Sequence, residues 1–443
     1  MAFRTRAAAL RSLADALEAA RARIIAATTK ETHLTADELA PEFVRMVETI
    51  RLFATTIEDG SWFGGGVTAG SDPAIGPPHS LRAVRIPLGT VLVFGASNFP
   101  LSYGVCGGDT ASALAVGCRV IVKEHPAHPT TGRLLQGIAA KALASAGFDG
   151  WLRYVRDTNQ GIHSVAKRLV NDPAVAAIGF TGSVPGGLAI ERLARARRLP
   201  IPVFAEMGSL NPVVITPAAM RARGAEIAGA LAVSIAMRVG QQCTRPGLIF
   251  AEEGDEADRF IEGFSEHLGR FKARRMVAPW IQKAFAARAE AVTKVRGVRV
   301  AKKPDAGRRS ASPGLWRCSL AVLTRSKTLR EEIFGPAAIV VTVPSGGVRL
   351  DEEAAKIMLG RLPGSLTCTL HAEKSELAGE AWRAFAPYVG RVILNGVPTG
   401  VRVHEAMVHS GPFPACNRPE STAVGQRASE RWVREVCVQT SVG

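Results

Sequence analysis

Between residues 89 and 208, short apolar runs rich in β-branched residues alternate with amphipathic stretches, and few architectures accept that order. The run "GTVLVFGA" (89–96) leads into the small-residue helical stretch "GGDTASALAVG" (107–117), then "RVIVKEH" (119–125) and a helix over 130–147. The pattern continues through "LRYVRD" (152–157), a helix over 161–170, "AVAAIGFTGS" (174–183), a basic helix over 187–198 and "IPVFAEMG" (201–208). Runs this uniformly apolar need cover on both faces, so the alternation predicts an α/β fold with parallel sheets and ligands at the carboxyl ends of the strands. A second alternating set runs from "PVVITP" (212–217) to "RVILNG" (391–396), giving two lobes. Two stretches read as breakers of regular structure, "GGGVTAGSDPAIGPPHS" (64–80) and "AKKPDAGRRSASPG" (301–314).

A chain of 443 residues with 47% hydrophobic and 21% charged content has room for these lobes and a sizeable core. The N-terminal "MAFRTRAAALRSLADALEAARARII" spaces acids and bases through an amphipathic helix rather than enclosing a signal-peptide core. No run approaches the roughly 18 apolar residues of a membrane span. Seven cysteines, at 106, 118, 243, 318, 368, 416 and 437, show neither metal-ligand pairing nor a disulfide framework, which points to a reducing, cytoplasmic setting and no metal. The net charge of +16 raises the question of nucleic acid. Its Lys and Arg clusters are scattered, aromatics amount to 6%, and no recognition motif accompanies them, so a solvated basic face that attracts anionic small molecules is the expected reading.

Chemistry is sought at the strand ends. Asn98, in the turn after 89–96, can present its amide to a developing oxyanion or simply make an Asx turn. Lys123 ends its strand and can grip ribose hydroxyls or a phosphate, or snorkel. Gly182 and Ser183 lie where a strand runs into a helix, a turn that offers N–H groups and a hydroxyl to a pyrophosphate. Glu206 ends an apolar run, where burial would raise its pKa toward that of a general base. Cys243 sits in "GQQCTRPG" (240–247), a loop rather than a core element. Alone, such a cysteine is more often a small buried hydrophobe.

Taken in order, Asn98, Lys123, "FTGS" (180–183), Glu206, "GQQC" (240–243) and "EIFGP" (332–336) resemble the aldehyde dehydrogenase superfamily across nearly the whole chain. The stretches 93–118, 123–132 and "NGVPTGVRVHEAMVHSGPFPA" (395–415) are most similar to its branch of 2-oxoglutarate semialdehyde (2,5-dioxovalerate) dehydrogenases and NADP-linked fatty-aldehyde dehydrogenases. The resemblance implies a dinucleotide-binding domain over 1–68 and 88–208 and a catalytic domain over 209–400. It further implies oligomerisation strands at 69–87 and 428–443, a connecting segment at 401–427, and a homodimer or homotetramer. It implies Cys243 as nucleophile, Asn98 and the Cys243 N–H as oxyanion donors, and Glu206 as the base that hydrolyses a thioester. Lys123, Gly182, Ser183, Glu332 and Phe334 would hold the cofactor.

Cofactor and substrate follow less directly. Pro126 stands where NAD-preferring relatives carry a glutamate, which tilts the expectation toward NADP; Asp157 and Gln160 tilt it back, with Arg156 as a compensating cation. Arg238 and Arg245 flank the Cys243 loop, so either is a candidate anchor for the distal carboxylate of a dioic semialdehyde. Other readings are a fatty or other aldehyde as substrate, a CoA-acylating relative, which Glu206 argues against, and a catalytically silent family member.

Overall fold

The computed structural model describes residues 3–70, 79–157, 164–307, 310–377 and 379–441. Three helices open it: α1 (Phe3–Ala19), α2 (Arg21–Thr32) and α3 (Ala36–Ile57). The single N-terminal helix expected from the amphipathic run is thus two, broken at Ala20. Thr35 and Glu38 form a reciprocal capping box that fixes where α3 starts. These helices bury Leu10, Leu13, Leu17, Phe43 and Ile50 against the first lobe.

Strands β1 (Gly64–Gly70) and β2 (His79–Pro87) follow. Over its described residues this corrects the reading of 64–80 as a breaker, since one strand begins at Gly64 and the next at His79; residues 71–78 lie outside the described residues. The ladder with β2 rests on backbone hydrogen bonds that glycines can make, with a register shift between Gly64 and Val67 absorbing the irregularity.

The first lobe contains β3 (Thr90–Phe94), α4 (Gly108–Val116), β4 (Val120–Lys123), α5 (Pro129–Ser145) and β5 (Leu152–Val155). It continues with α6 (Ser164–Val170), β6 (Val175–Thr181), α7 (Val184–Arg195) and β7 (Val203–Glu206). Its five strands are parallel in the order β5-β4-β3-β6-β7. Connections leave β3 toward one edge and β6 toward the other, so a crevice opens at their carboxyl ends. Apolar clusters cover both faces of the sheet.

The second lobe contains β8 (Val213–Ile215), α8 (Pro217–Ala236), β9 (Leu248–Glu252), α9 (Asp255–Gly269), α10 (Pro279–Thr293) and β10 (Arg299–Lys302). After these come β11 (Gly314–Ser319), α11 (Leu320–Arg325), β12 (Ala337–Val343), α12 (Glu352–Leu359), β13 (Ser365–His371) and β14 (Val389–Leu394). The strand order is β10-β11-β12-β9-β8-β13-β14, parallel except for the β10–β11 pair. The last strand, β15 (Val433–Ser441), returns to pair antiparallel with β2 and forms one edge of the small sheet. All seven cysteines are free thiols, and no helix among the described residues is long and apolar enough to cross a membrane.

Candidate active site

A cleft of about 1020 Å³ separates the two lobes. The first lobe contributes residues just past the carboxyl ends of β3, β4, β6 and β7: Asn98, Lys123, Gly182, Ser183 and Glu206 with their neighbours. The second contributes Leu210, Cys243, Glu332, Phe334 and Gly364, which lie ahead of β8, β9, β12 and β13. The cleft thus lies at the carboxyl ends of the strands in one lobe and at the amino edge of the other, where the sequence pattern points to carboxyl ends alone.

The loop that carries Cys243 is held under strain. Arg238, Val239 and Gly240 take consecutive left-handed conformations, with φ of 53°, 56° and 66°. A β-branched residue there costs on the order of 1–3 kcal/mol. Glycine is required at 240, because a Cβ would lie 2.2 Å from the Gly335 and Pro336 backbone. The Arg238 guanidinium is buried and reaches Glu42 Oε2 (2.7 Å), Glu38 O (2.8 Å) and Asn98 O (2.6 Å). Arg245, fully enclosed, donates to Ile333 O (2.9 Å), Pro246 O and Ala337 O. Both guanidinium groups are buried and committed to backbone carbonyls, with the Glu42 carboxylate added for Arg238, so both are removed as substrate anchors: they bolt the loop, one to α3 and the Asn98 turn, the other to the segment holding Glu332 and Phe334. Asn211 adds a third bolt, donating Nδ2 to Cys243 O (2.7 Å) and Arg245 O (2.9 Å).

On this support Cys243 comes to face Glu206 and a residue not singled out in the sequence, His409. Its Nε2 lies 3.0 Å from Glu206 Oε1 and 3.5 Å from Cys243 Sγ. His409 belongs to the connecting segment, which is seated along the edge of β7. Met207 N donates to Ala415 O (2.7 Å), and the Asn417 side chain bonds Ala205 N (2.8 Å) and Val203 O (3.0 Å). Thr422 Oγ1 accepts from the His409 N–H (2.9 Å). A histidine next to glycine and proline in a long loop gives no spacing signal toward residues 166 or more positions away. Burial drives the Cys243 thiol well above its ordinary pKa, and the Glu206 charge adds to this, with Arg45 opposing. Burial also resists ionisation of Glu206, yet His409, the thiol and Arg431 together hold its carboxyl below the usual range. That direction corrects the raised pKa expected for Glu206. Its Oε2 is buried and meets no donor among the described residues. Asn98 donates Nδ2 to Gln241 O (2.9 Å), tying the two lobes beside the thiol, and the Cys243 N–H meets no acceptor among the described residues.

The remaining predicted positions line the same cleft. Lys123 is ion-paired with Asp157, both largely buried. Ser183 caps α7 and accepts from Gly186 N (3.3 Å). A Cβ at Gly182 or Gly186 would meet the Phe180 ring at 2.8 or 3.0 Å, so these glycines keep the turn open. Burial pushes Glu332 up to about 7 despite the opposing Arg245 charge. Gln160 lies outside the described residues. Arg156 is exposed.

A model of the aldehyde dehydrogenase family matches residues 1–411. The chain is 40% identical over 440 residues to alpha-ketoglutaric semialdehyde dehydrogenase 2 of Azospirillum brasilense, covering 98% of this chain and 82% of that protein. It is 36% identical to the alpha-ketoglutaric semialdehyde dehydrogenase of Acinetobacter baylyi, with 98% of this chain and 82% of that protein covered. Among solved structures, the aldehyde dehydrogenase KauB of Pseudomonas aeruginosa superposes on the whole chain and on 85% of its own, with a TM-score of 0.83 at 21% identity.

The bolts make a testable claim about stability. Arg238→Met leaves the buried Glu42 carboxylate its backbone donors, Leu101 N and Ser102 N, but no counter-charge, and is expected to cost about 3–5 kcal/mol in urea unfolding. Adding Glu42→Gln should recover much of that loss. Strictly additive single and double variants would show that the pair is not coupled.

Proposed function

The chain belongs to the aldehyde dehydrogenase family, and from that premise we propose that it oxidises 2-oxoglutarate semialdehyde to 2-oxoglutarate with Cys243 as nucleophile. The observation that carries the reading is the meeting of Cys243 Sγ, His409 Nε2 and a Glu206 carboxylate oxygen within 4.8 Å of one another, where Glu206 and Cys243 face each other across the cleft that Asn98 also lines.

The thiol starts protonated, so its proton must leave before attack. Glu206 Oε2 is the free acceptor for it, and the His409 Nε2–H, set between Oε1 and Sγ, can turn from the carboxylate to the new thiolate. Attack on the aldehyde carbon gives a thiohemiacetal on Cys243, whose oxyanion the Cys243 N–H and the Asn98 amide are placed to stabilise. The amide must relax its bond to Gln241 to do so with both hydrogens. When bound, the nicotinamide cofactor supplies the acceptor for hydride. Glu206 then activates the water that releases the acid from the Cys243 thioester. The cleft suits such a cofactor: the open Gly182–Gly186 turn and Ser183 fit a pyrophosphate, Glu332 fits ribose hydroxyls, and Phe334 fits the nicotinamide side. For the adenosine ribose, the Lys123–Asp157 pair supports NAD⁺ rather than the NADP⁺ suggested by Pro126, since the Asp157 carboxylate repels a 2′-phosphate and occupies the Lys123 charge.

For the substrate's distal carboxylate, Arg45 and Arg391 replace the two discarded arginines. Arg45 lies over the rings of Phe99 and Tyr103, 5.2 Å from each centroid, and donates Nε to Ser102 Oγ (3.2 Å). Arg391 donates to Pro398 O (2.5 Å). Arg45 Nη2, Arg391 Nε and Tyr103 Oη are buried without partners among the described residues, and both arginines interact electrostatically with Cys243. Unpaired donors of this kind favour an anionic semialdehyde over a long apolar one. A reducing, cytoplasmic setting is supported by the seven free thiols. The open edge of β15 supports a homo-oligomer, which sedimentation at a multiple of 46.9 kDa would report.

Cofactor reduction with a panel of aldehydes tests the central reading. Cys243→Ala is expected to lower kcat by about 1,000-fold or more and His409→Asn by about 100-fold; activity surviving the first would remove Cys243 from its role. Arg45→Met and Arg391→Met should each raise KM for 2-oxoglutarate semialdehyde about 10-fold or more, from loss of a charged hydrogen bond. Equal losses with a neutral aldehyde would refute the anchor. Asp157→Ser should shift the NADP⁺/NAD⁺ ratio of kcat/KM upward by about tenfold, and an unchanged ratio would free Asp157 from any part in cofactor choice.

A further inference from the structure

We propose that Cys243, His409 and Glu206 also form a zinc site, and that a bound ion holds the enzyme inactive. The three offer a thiolate, an imidazole nitrogen and a carboxylate, the donor set that suits zinc rather than calcium or magnesium. Their ligand atoms all lie within 4.8 Å of one another, with Nε2 3.0 Å from Oε1 and 3.5 Å from Sγ. A tetrahedral zinc ion, about 2.0–2.3 Å from each donor, needs donor separations of about 3.3–3.7 Å. Two of the separations, 3.0 and 3.5 Å, are near that requirement, and the third, between Sγ and the carboxylate, lies within 4.8 Å, so side-chain rotation closes the site.

A second observation points the same way. Among the described residues Glu206 Oε2 is buried without a hydrogen-bond partner, so this carboxylate keeps coordinating capacity beyond its contact with His409. The Cys243 thiolate and Glu206 carboxylate would neutralise a divalent charge, removing the main penalty for holding it in a desolvated site. Three protein ligands and a fourth position open to the cleft describe a site that water can complete. No metal motif precedes it in the sequence, because the ligands come from β7, the strained loop and the connecting segment.

Coordination takes the proton from the thiol and releases it to solvent, so binding tightens as pH rises. A metal-bound thiolate, with its lone pair committed, cannot attack an aldehyde. The inhibitory consequence rests on Cys243 being the nucleophile, whereas the binding does not.

The test uses chelator-treated full-length protein titrated with Co²⁺, followed by Zn²⁺ displacement and assay of cofactor reduction. One Co²⁺ per chain with a thiolate-to-cobalt charge-transfer band is expected, together with inhibition by Zn²⁺ that a chelator reverses. Cys437→Ser, at an exposed thiol in β15, should behave as the unmodified protein. Cys243→Ser should lose the band, and His409→Asn should bind at least about 100-fold more weakly. Both variants are first checked for unaltered melting and assembly size, and either one suffices if the other does not fold. Absence of the band in the unmodified protein, or its persistence in Cys243→Ser, overturns the site even if Cys243→Ser is inactive. A band at Cys243 with full turnover by the zinc-loaded enzyme overturns the inhibition and the nucleophile assignment together.

Discussion

The left-handed run from Arg238 to Gly240 is the constraint on which the cleft depends. No local preference favours it, since Val239 would adopt an extended or right-handed conformation in isolation. It persists because buried guanidinium groups on either side leave the loop no alternative without stranding a charge. Arg238 pulls the loop onto α3 and the Asn98 turn, while Arg245 fastens it to the segment ahead of β12. Gly240 lets that segment approach within contact of the backbone. The same connections set the distance between Asn98 and Cys243, so the amide and the thiol are positioned by one network.

The two sheets meet in opposite senses. One turns its carboxyl edge to the cleft, where strand-to-helix turns expose N–H groups at the start of α7. The other turns its amino edge, which brings in the segments that arrive at strands from preceding helices. An anionic cofactor suits the first kind of edge, because helix N-termini carry partial positive charge. The second supplies rigid loops, each anchored by the strand it enters. Between them, the segment after residue 400 crosses from one lobe to the edge of β7 and delivers His409.

The arginine excess takes on another meaning in this setting. Read as composition, +16 describes a basic surface. In the folded chain Arg6, Arg238, Arg245 and Arg431 are buried, with Arg431 paired to Asp109 (2.7 Å) and Arg6 donating to Ala115 O (3.1 Å). Part of the positive charge therefore organises the interior. A guanidinium can serve several carbonyls at once from its planar fork, which suits it to tying loops together.

The alternation of apolar runs and amphipathic stretches was enough to specify two parallel-sheet lobes, because burial on both faces leaves a recognisable pattern in the chain itself. Motif order likewise brought Asn98, Lys123, Ser183, Glu206, Cys243, Glu332 and Phe334 to notice, and all of them line one cleft. The β1 strand escaped notice because glycines carry no side-chain periodicity, though they pair through the backbone. Arg238 and Arg245 were misread for a related reason: closeness to Cys243 along the chain says nothing about which way a guanidinium points. His409, 166 residues from Cys243, reaches the thiol only once the connecting segment is seated against β7. Sequence thus determined the lobes and most of the reactive groups, since local pattern and order record them; tertiary structure alone decided the charge states and partners, since those depend on burial and on contacts between distant segments.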